Sequence, residues 1–178
     1  NSFVNLFEMN PDHTQYLVSN YAQPTLEITK GQGSYLFDVN GTKFLDFTSG
    51  IAVTNIGHSH EHWVASVSKQ INEITHCSNL FSIPEQVKLG KRLVEKIGNG
   101  KMLFCNSGAE ANEALIKFSR LVGKEQQNKK YKLLVAENGF HGRTMGALSA
   151  TSSSKYRNGF EPLLDGFSFA PLNDIEKF

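Results

Sequence analysis

The stretch Cys105–Arg120, CNSGAEANEALIKFSR, decides how the rest of the chain is interpreted. It follows the apolar segment KMLFC (101–105) and places three small residues, Ser107, Gly108 and Ala109, at the start of a helical pattern. The first backbone N–H groups of a helix have no acceptor inside the helix, and the helix dipole favours an anion beside them. We therefore expect a strand, a bare turn and a helix whose start binds an anionic group.

The same residues also have a purely structural interpretation. Ser107 and Glu110 stand at the S-x-x-E spacing of a capping box, which satisfies a helix start without any ligand. Glu113, one turn further on, reads as a surface charge near the positive end of the helix. The local pattern leaves both interpretations open.

The rest of this region alternates strand and helix patterns, which predicts an α/β fold with a mostly parallel sheet flanked by helices. Helical spacing of apolar residues begins at Glu61, and Pro84 is placed to start a second helix. After Cys105 the predicted elements are a helix from Gly108 to about Leu121, a polar loop GKEQQNKK (123–130), a strand YKLLVAE (131–137), a short helix between Thr144 and Thr151, and a strand GFSFA (166–170).

The first part of the chain does not follow this alternation. LEITKGQGSYLFDVNGTKFLDF (26–47) reads as short strands, and Asn40-Gly41 between two apolar runs is a hairpin signal. We expect residues 1–55 to form a β-rich small-lobe segment and residues 56–178 to form the first, incomplete part of a larger domain.

A second loop, 138–143, follows the strand YKLLVAE. Ligands of parallel sheets bind outside the carboxyl ends of the strands, so this loop and loop 106–109 should meet. Phe140 can cover a flat ligand and Arg143 offers a planar fork for a carboxylate. The structural alternatives are a loop aromatic folded over its own domain, a solvated arginine, and His141 as an ordinary loop residue.

Composition excludes several classes of protein. The 178 residues carry a net charge of +1, which points to neither a nucleic-acid nor a membrane-surface partner. No apolar run has the length of a bilayer span. Cys77 and Cys105 form no close pair, and we expect free thiols. The dinucleotide, Walker and nucleophile-elbow fingerprints do not occur.

Three histidines, His58, His60 and His62, stand at alternate positions in GHSHEH. No cysteine or carboxylate falls at a usual zinc spacing from them. We therefore expect no metal site.

Together these stretches resemble the class III, fold-type-I pyridoxal-phosphate aminotransferases, and in particular their acetylornithine branch. The stretches that carry the resemblance stand in the order of that family: GSYLFDVNGTKFLDFTSGIAVTNIGHSH, SNLFSIPEQVKLGKRLVE, FCNSGAEANEALIKFSR, ENGFHGRTMGALSAT and FAPLND. Glu61 replaces a proline that is usual after GHSH, and FSIPEQ varies an NEPQ-like stretch. Neither departure touches the expected cofactor residues.

The resemblance implies pyridoxal 5'-phosphate as the cofactor and assigns roles to individual residues. The implied cofactor-binding residues are Ser107, Gly108 and Ala109 at the phosphate, Phe140 on the ring, and His141. The implied substrate-binding residues are Arg143, at the substrate α-carboxylate, Tyr21 and Asn79. No lysine here stands in the Schiff-base motif of the family, so the catalytic lysine is expected after Phe178 and the chain alone is expected to be inactive.

The implied reaction transfers the amino group of N2-acetyl-L-ornithine to 2-oxoglutarate, in arginine biosynthesis, by a homodimer. The partners are therefore a small-molecule amino donor and a 2-oxo acid. Ornithine and 4-aminobutyrate aminotransferases are the nearest alternatives. Ornithine enzymes tend to carry an aromatic residue near the positions that Gly50 and Ile51 occupy in this chain. The resemblance therefore favours the acetylated donor.

Two alternatives remain, one for the class of protein and one for the cellular compartment. A non-catalytic module that binds a phosphate ligand is the alternative from another class of protein. The segment KEQQNKKYK (124–132) has the lysine- and asparagine-rich composition of some yeast proteins. Since the resemblance implies a step that is mitochondrial in fungi, we expect the mitochondrial matrix, with the cytoplasm as the alternative.

Overall fold

The computed structural model describes residues 15–125 and 130–177. The chain divides into two compact units, the first ending at Phe81 and the second beginning at Ser82. The predicted boundary between residues 55 and 56 stays a prediction. The start of the predicted small lobe, residues 1–14, and the middle of the predicted polar loop, residues 126–129, lie outside the described residues.

The first unit contains a three-stranded antiparallel sheet in the order β1-β2-β3. Its strands are β1 (Ile28–Gln32), β2 (Tyr35–Asp38) and β3 (Lys43–Leu45). The predicted Asn40-Gly41 hairpin is confirmed between β2 and β3. Gly41 takes a φ of 79°, a left-handed value that glycine adopts without steric cost.

A left-handed turn follows the sheet. Ser49, Gly50, Ile51 and Ala52 have φ values of 48°, 63°, 62° and 60°. Such a backbone costs roughly 1–2 kcal/mol for each residue other than glycine, and a β-branched residue rarely adopts it. The turn therefore needs fixed partners around it.

Asp46 supplies those partners. One carboxylate oxygen accepts hydrogen bonds from the N–H groups of Thr48 and Ser49, each at 2.9 Å, and from the Thr48 hydroxyl at 2.7 Å. The other oxygen lies 2.7 Å from Nε2 of His58. The hydrogen bonds from His58 and then Thr48 hold the pKa of the Asp46 carboxyl well below its ordinary value.

His58 therefore has a structural partner. Among residues 15–125 and 130–177, no group of three or more histidine, cysteine or acidic side chains is placed to hold a metal ion.

The helix predicted from Glu61 is confirmed as α1 (Glu61–Glu73).

The second unit contains both helices and strands, but it does not alternate strictly as predicted, because helices follow one another directly at two places. Its elements are α2 (Pro84–Ile97), α3 (Gly108–Glu125), β4 (Leu133–Ala136), α4 (Met145–Ser149), α5 (Ser154–Arg157), β5 (Phe167–Ala170) and a final 3₁₀ turn (Ile175–Lys177). Strands β4 and β5 pair in parallel, from Leu133 opposite Phe167 to Ala136 opposite Ala170. The parallel sheet predicted for this region is thus present.

Two local predictions are wrong. The segment KMLFC (101–105) forms no strand, because no described strand pairs with it and an extended segment without a ladder partner is not a strand. Helix α3 does not stop near Leu121 but continues to Glu125, so the start of the predicted polar loop is helical. Gly123 is buried there against the Lys130 backbone, a close approach that only glycine permits.

The buried core of the second unit surrounds α4. The buried apolar side chains are Ile116, Val135, Ala147, Leu148, Ala150 and Ala170. By contrast, apolar residues of α1 and α2 are exposed, such as Trp63 at 56% and Ile97 at 68%. No helix among the described residues has the length and apolar character needed to cross a lipid bilayer.

The role of Asp46 leads to the first testable expectation. Asp46→Asn removes the charge that the Thr48 and Ser49 amides and His58 contact, so these two amides should exchange with deuterium faster than in the wild type. Because the pKa of Asp46 is lowered on folding, its stabilisation is present above about pH 4 and is lost as the pH falls further. The difference between wild type and variant should therefore shrink below pH 4.

Asp165→Asn is the matched control, since the Asp165 side chain makes no hydrogen bond to the described residues. Equal exchange in Asp46→Asn and wild type at neutral pH would contradict the role of Asp46.

Candidate functional site

The start of α3 combines a side-chain cap with free backbone donors. The Ser107 hydroxyl oxygen accepts the N–H of Glu110 at 3.2 Å, and the Glu110 carboxylate accepts the N–H of Asn106 at 2.6 Å. The capping interpretation is therefore correct. It leaves the N–H groups of Gly108 and Ala109 without an acceptor among the described residues, so the cap and an anion site coexist.

The loop after β4 lies directly against this helix start. Gly142 has a φ of 130°, and a Cβ built on it would lie 2.7 Å from Ala109 Cβ and 3.1 Å from Ala147 Cβ. Only glycine allows this approach. The Asn112 side-chain amide also donates to the His141 carbonyl at 2.6 Å. The two loops thus meet as predicted, although only the second of them follows a strand of the parallel sheet.

Glu113 fixes the next part of the same loop. One of its carboxylate oxygens accepts the Thr144 hydroxyl at 2.6 Å and the N–H groups of Gly146 at 2.9 Å and Ala147 at 3.2 Å. The expectation that Glu113 is a surface charge is wrong, because its carboxylate satisfies the first N–H groups of α4. The hydrogen bond from Thr144 is the largest cause of the lowered pKa of Glu113. Burial raises the pKa by a smaller amount, and the N–H groups of Ala147 and Gly146 lower it further.

The loop is also held from its other side. The N–H of Asn138, at a left-handed φ of 61°, donates to the Ser152 hydroxyl at 2.8 Å. The N–H of His141 donates to the buried Thr151 hydroxyl at 3.2 Å. The segment that follows α4 therefore fixes the backbone on both sides of Phe140. The Nδ1 atom of His141 is buried and has no partner among the described residues.

Arg143 stands among aromatic rings and not beside a carboxylate. Its guanidinium carbon lies 4.4 Å from the centre of the Tyr156 ring and 5.5 Å from that of Phe140. The two rings meet edge to face at 6.1 Å. No carboxylate of the described residues lies within ion-pair distance of this guanidinium. The fork is therefore available to an anionic ligand, and the Phe140 side chain is 62% exposed beside it.

These groups line one open depression of about 350 Å³, within the rough range of small-molecule sites. Its lining residues are Gly108, Ala109, Asn112, Phe140, His141, Gly142 and Arg143. The structure thus brings together five residues predicted from the sequence, and Ser107 directly precedes Gly108. Free N–H donors, a flat face and a guanidinium together suit a ligand with an anionic group, a planar part and a carboxylate.

Two predicted residues lie elsewhere. Tyr21 and Asn79 belong to the first unit, where both are exposed, and their assignment to the substrate stays a prediction. Sequence reasoning missed three residues, Asn112, Glu113 and Tyr156. Asn112 and Glu113 follow Ala109 by three and four positions and therefore share its face of the helix. That spacing was the signal that could have identified them. No pattern around Tyr156 pointed to it.

Comparison with known proteins gives a consistent result. The family described as class-III aminotransferase matches residues 16–178. The chain is 45% identical to the acetylornithine aminotransferase of Caldanaerobacter subterraneus over 91% of its own length and 42% of the relative. It is 44% identical to the mitochondrial acetylornithine aminotransferase of Neurospora crassa, over 94% of this chain and 38% of the relative.

A solved structure extends the likeness to three dimensions. The ornithine aminotransferase of Toxoplasma gondii, with pyridoxal phosphate at partial occupancy in its active site, superposes with a TM-score of 0.86 at 27% identity. The match covers 97% of this chain and 42% of that one. The chain thus spans about two fifths of the length of the relatives it matches.

The contacts of Glu113 give the second testable expectation. Glu113→Ala leaves the buried N–H groups of Gly146 and Ala147 without an acceptor, and should lower the free energy of unfolding by about 1–3 kcal/mol. Glu113→Gln keeps an acceptor oxygen and should lose less. Chemical denaturation of the three proteins measures both differences.

Glu125→Ala, at the exposed far end of the same helix, is the control and should change stability by less than about 0.5 kcal/mol. The pKa of Glu113 is lowered on folding, so its contribution is present above its ordinary value of 4.5 and declines as the pH falls below it. If Glu113→Ala and Glu125→Ala were equally stable at pH 7, the capping role would be refuted.

Proposed function

This chain belongs to the class-III aminotransferases, and we propose that it contributes half of the active site of an enzyme that transfers the amino group of N2-acetyl-L-ornithine to 2-oxoglutarate. The observation that carries the proposal is the convergence of free N–H donors, the Phe140 face and the unpaired Arg143 fork in one depression. The acetylornithine aminotransferases among its relatives support the choice of donor.

The cofactor of the family is pyridoxal 5'-phosphate, and the helix start fits its phosphate. The N–H groups of Gly108 and Ala109 have no acceptor in the part of the chain that the structure describes. A Cβ built on Gly108 meets no described atom within 4 Å, so space is open above it. The Ser107 oxygen accepts from Glu110, which leaves its hydroxyl proton free to donate outward. Three donors at the positive end of a helix suit a dianion.

The remaining predicted residues suit the rest of the cofactor and the substrate. Once bound, the pyridine ring withdraws electrons from the substrate carbon that loses its proton. Phe140 offers a flat apolar face for that ring, and His141 lies next to it in the same depression. We propose that Arg143 binds the α-carboxylate as a two-pronged donor, which positions the donor so that its free terminal amino group and the C5–H bond beside it face the cofactor.

We propose further that the chain is the N-terminal part of a longer protein, in which the Schiff-base lysine follows Phe178. The 38–43% coverage of relatives supports this. We also propose a homodimer, with Tyr21 and Asn79 contributing to substrate binding. We propose the mitochondrial matrix as its location, which agrees with the mitochondrial relative from Neurospora crassa.

The decisive experiment follows amino transfer by the full-length protein. N2-acetyl-L-ornithine, ornithine and 4-aminobutyrate are offered separately with 2-oxoglutarate, and glutamate formation is measured. We expect the acetylated donor to give the highest kcat/KM. A preference for ornithine or 4-aminobutyrate would identify another branch of the family, and phosphate-ligand binding without any transfer would favour the non-catalytic module.

Gly108→Ala tests the phosphate site. The added methyl has room in the ligand-free protein, so stability should be unchanged or slightly higher, since alanine favours helix. The methyl would occupy the space proposed for the phosphate, and cofactor affinity should fall by about 1–3 kcal/mol. Equilibrium dialysis against pyridoxal phosphate measures the affinity.

Gly90→Ala in α2 is the matched control, because a Cβ there would meet side-chain atoms only at ordinary contact distances of 3.8–4.0 Å. Equal cofactor affinity of the two variants would place the phosphate elsewhere.

Arg143→Ala tests the carboxylate site. Removing the guanidinium should weaken binding of the amino donor by about 2–5 kcal/mol, the range for losing one partner of a desolvated charge pair. Cofactor absorbance should be unchanged. Arg92→Ala, on the exposed face of α2, provides the control for loss of a positive charge. Loss of the cofactor with unchanged donor affinity would reverse the assignment.

A further inference from the structure

Tyr156 contacts Arg143 but does not line the depression. It belongs to α5, 13 residues beyond Arg143 in the chain, yet its ring centre lies only 4.4 Å from the guanidinium carbon of that arginine. This is the shorter of the two aromatic contacts of Arg143. Its hydroxyl makes no hydrogen bond to the described residues, so the ring face is what Tyr156 contributes.

The helix that carries this ring has contacts that do not involve Arg143. Thr151, buried ahead of α5, accepts the N–H of His141 and donates to the Ala147 carbonyl. The Arg157 guanidinium, at the end of α5, lies 5.4 Å from the centre of the Phe169 ring in β5. The short helix is therefore anchored to the loop on one side and to the sheet on the other.

An arginine without a carboxylate partner has many side-chain conformations of similar energy. Contact with the electron-rich face of an aromatic ring favours a subset of them, because the ring quadrupole attracts the cation. The Phe140 and Tyr156 rings are nearly perpendicular, with their centres 6.1 Å apart, and both lie near the guanidinium, so together they restrict the fork from two directions. A fork that is already oriented loses less conformational entropy when a carboxylate binds.

We propose that Tyr156 is a positioning residue that orients the Arg143 guanidinium toward the carboxylate of the substrate, and so sets the selectivity of the site for carboxylate-bearing donors and acceptors. The proposal rests on the proposed function of Arg143. Tyr156 itself does not touch the reacting atoms. Its effect should be confined to ligands that carry the carboxylate.

The test compares Tyr156→Leu and Tyr156→Phe in the full-length, cofactor-loaded protein. Tyr156→Leu removes the ring face and should weaken binding of a carboxylate by roughly 2- to 30-fold, whereas Tyr156→Phe retains the face and should bind like the wild type. Calorimetric titration with glutarate, a dicarboxylate that cannot react, measures this without turnover. Cofactor affinity should be the same in all three proteins.

A second readout separates orientation from general damage. The donor is compared with the corresponding amine that lacks its α-carboxylate. Tyr156→Leu should lower kcat/KM for the carboxylate-bearing donor and leave that for the decarboxylated amine unchanged, while wild type and Tyr156→Phe agree on both. Equal losses on both substrates would mean that Tyr156 is only a packing residue and would overturn the inference.

Tyr131 offers a matched control. Its ring lies 5.8 Å from the guanidinium carbon of Arg120, so Tyr131→Leu removes the same type of contact in the same unit but away from the depression. It should leave glutarate binding unchanged. An equal loss of glutarate affinity in Tyr131→Leu and Tyr156→Leu would also overturn the inference.

If Tyr156→Leu does not fold, fluorinated phenylalanine at position 156 keeps the size of the ring and depletes its face of negative charge. Glutarate affinity should then fall stepwise with the number of fluorine atoms, and a constant affinity would contradict the proposal. Absence of amino transfer by the wild type would refute the proposed function. Transfer by the wild type with unchanged glutarate affinity in the variants would refute only the role of Tyr156.

Discussion

The carboxylate of Glu113 joins the two chain segments on which the candidate site depends. It lies on the helix that presents the free N–H groups of Gly108 and Ala109, and it accepts three hydrogen bonds from Thr144, Gly146 and Ala147 just after Arg143. Together with the close contact of Gly142 with Ala109, it holds the start of α3 against the loop that carries Arg143. The spacing between these N–H groups and the Arg143 guanidinium is therefore set by contacts within the protein.

The side-chain cap and an anion would contact different N–H groups at the start of α3, which explains why the two interpretations of this helix start are compatible. A capping box satisfies Asn106 and Glu110, the residues on either side of the small-residue turn. The two N–H groups between them stay available. A helix start can therefore be stable without its ligand and still bind one, because capping and anion binding use different members of the same set of donors.

Local patterns predicted the elements whose stabilising contacts are close in sequence. Apolar spacing found the helices from Glu61, Pro84 and Gly108, and turn chemistry found the hairpin at Gly41. The segment 101–105 was mispredicted because a strand exists only with a partner, and its apolar residues carry no information about whether one is near.

The site followed the same rule. Loop 138–143 was found because it follows a strand of the parallel sheet, whereas loop 106–109 was found from the small residues at the start of α3 and not from a strand before it. Glu113 and Tyr156 were missed because their partners stand 31 to 34 and 13 residues away, separated by turns that no spacing rule describes.

The free donors at the start of α3 are backbone groups, and this has an evolutionary consequence. A single codon change at Gly108 or Ala109 adds bulk that can hinder an anion but, proline apart, cannot delete an amide hydrogen, so the backbone donors themselves persist through most sequence drift. The guanidinium of Arg143 and the ring beneath it are side chains, and one substitution removes either. Sequence drift can therefore remove the side-chain contacts of this depression more readily than its backbone donors.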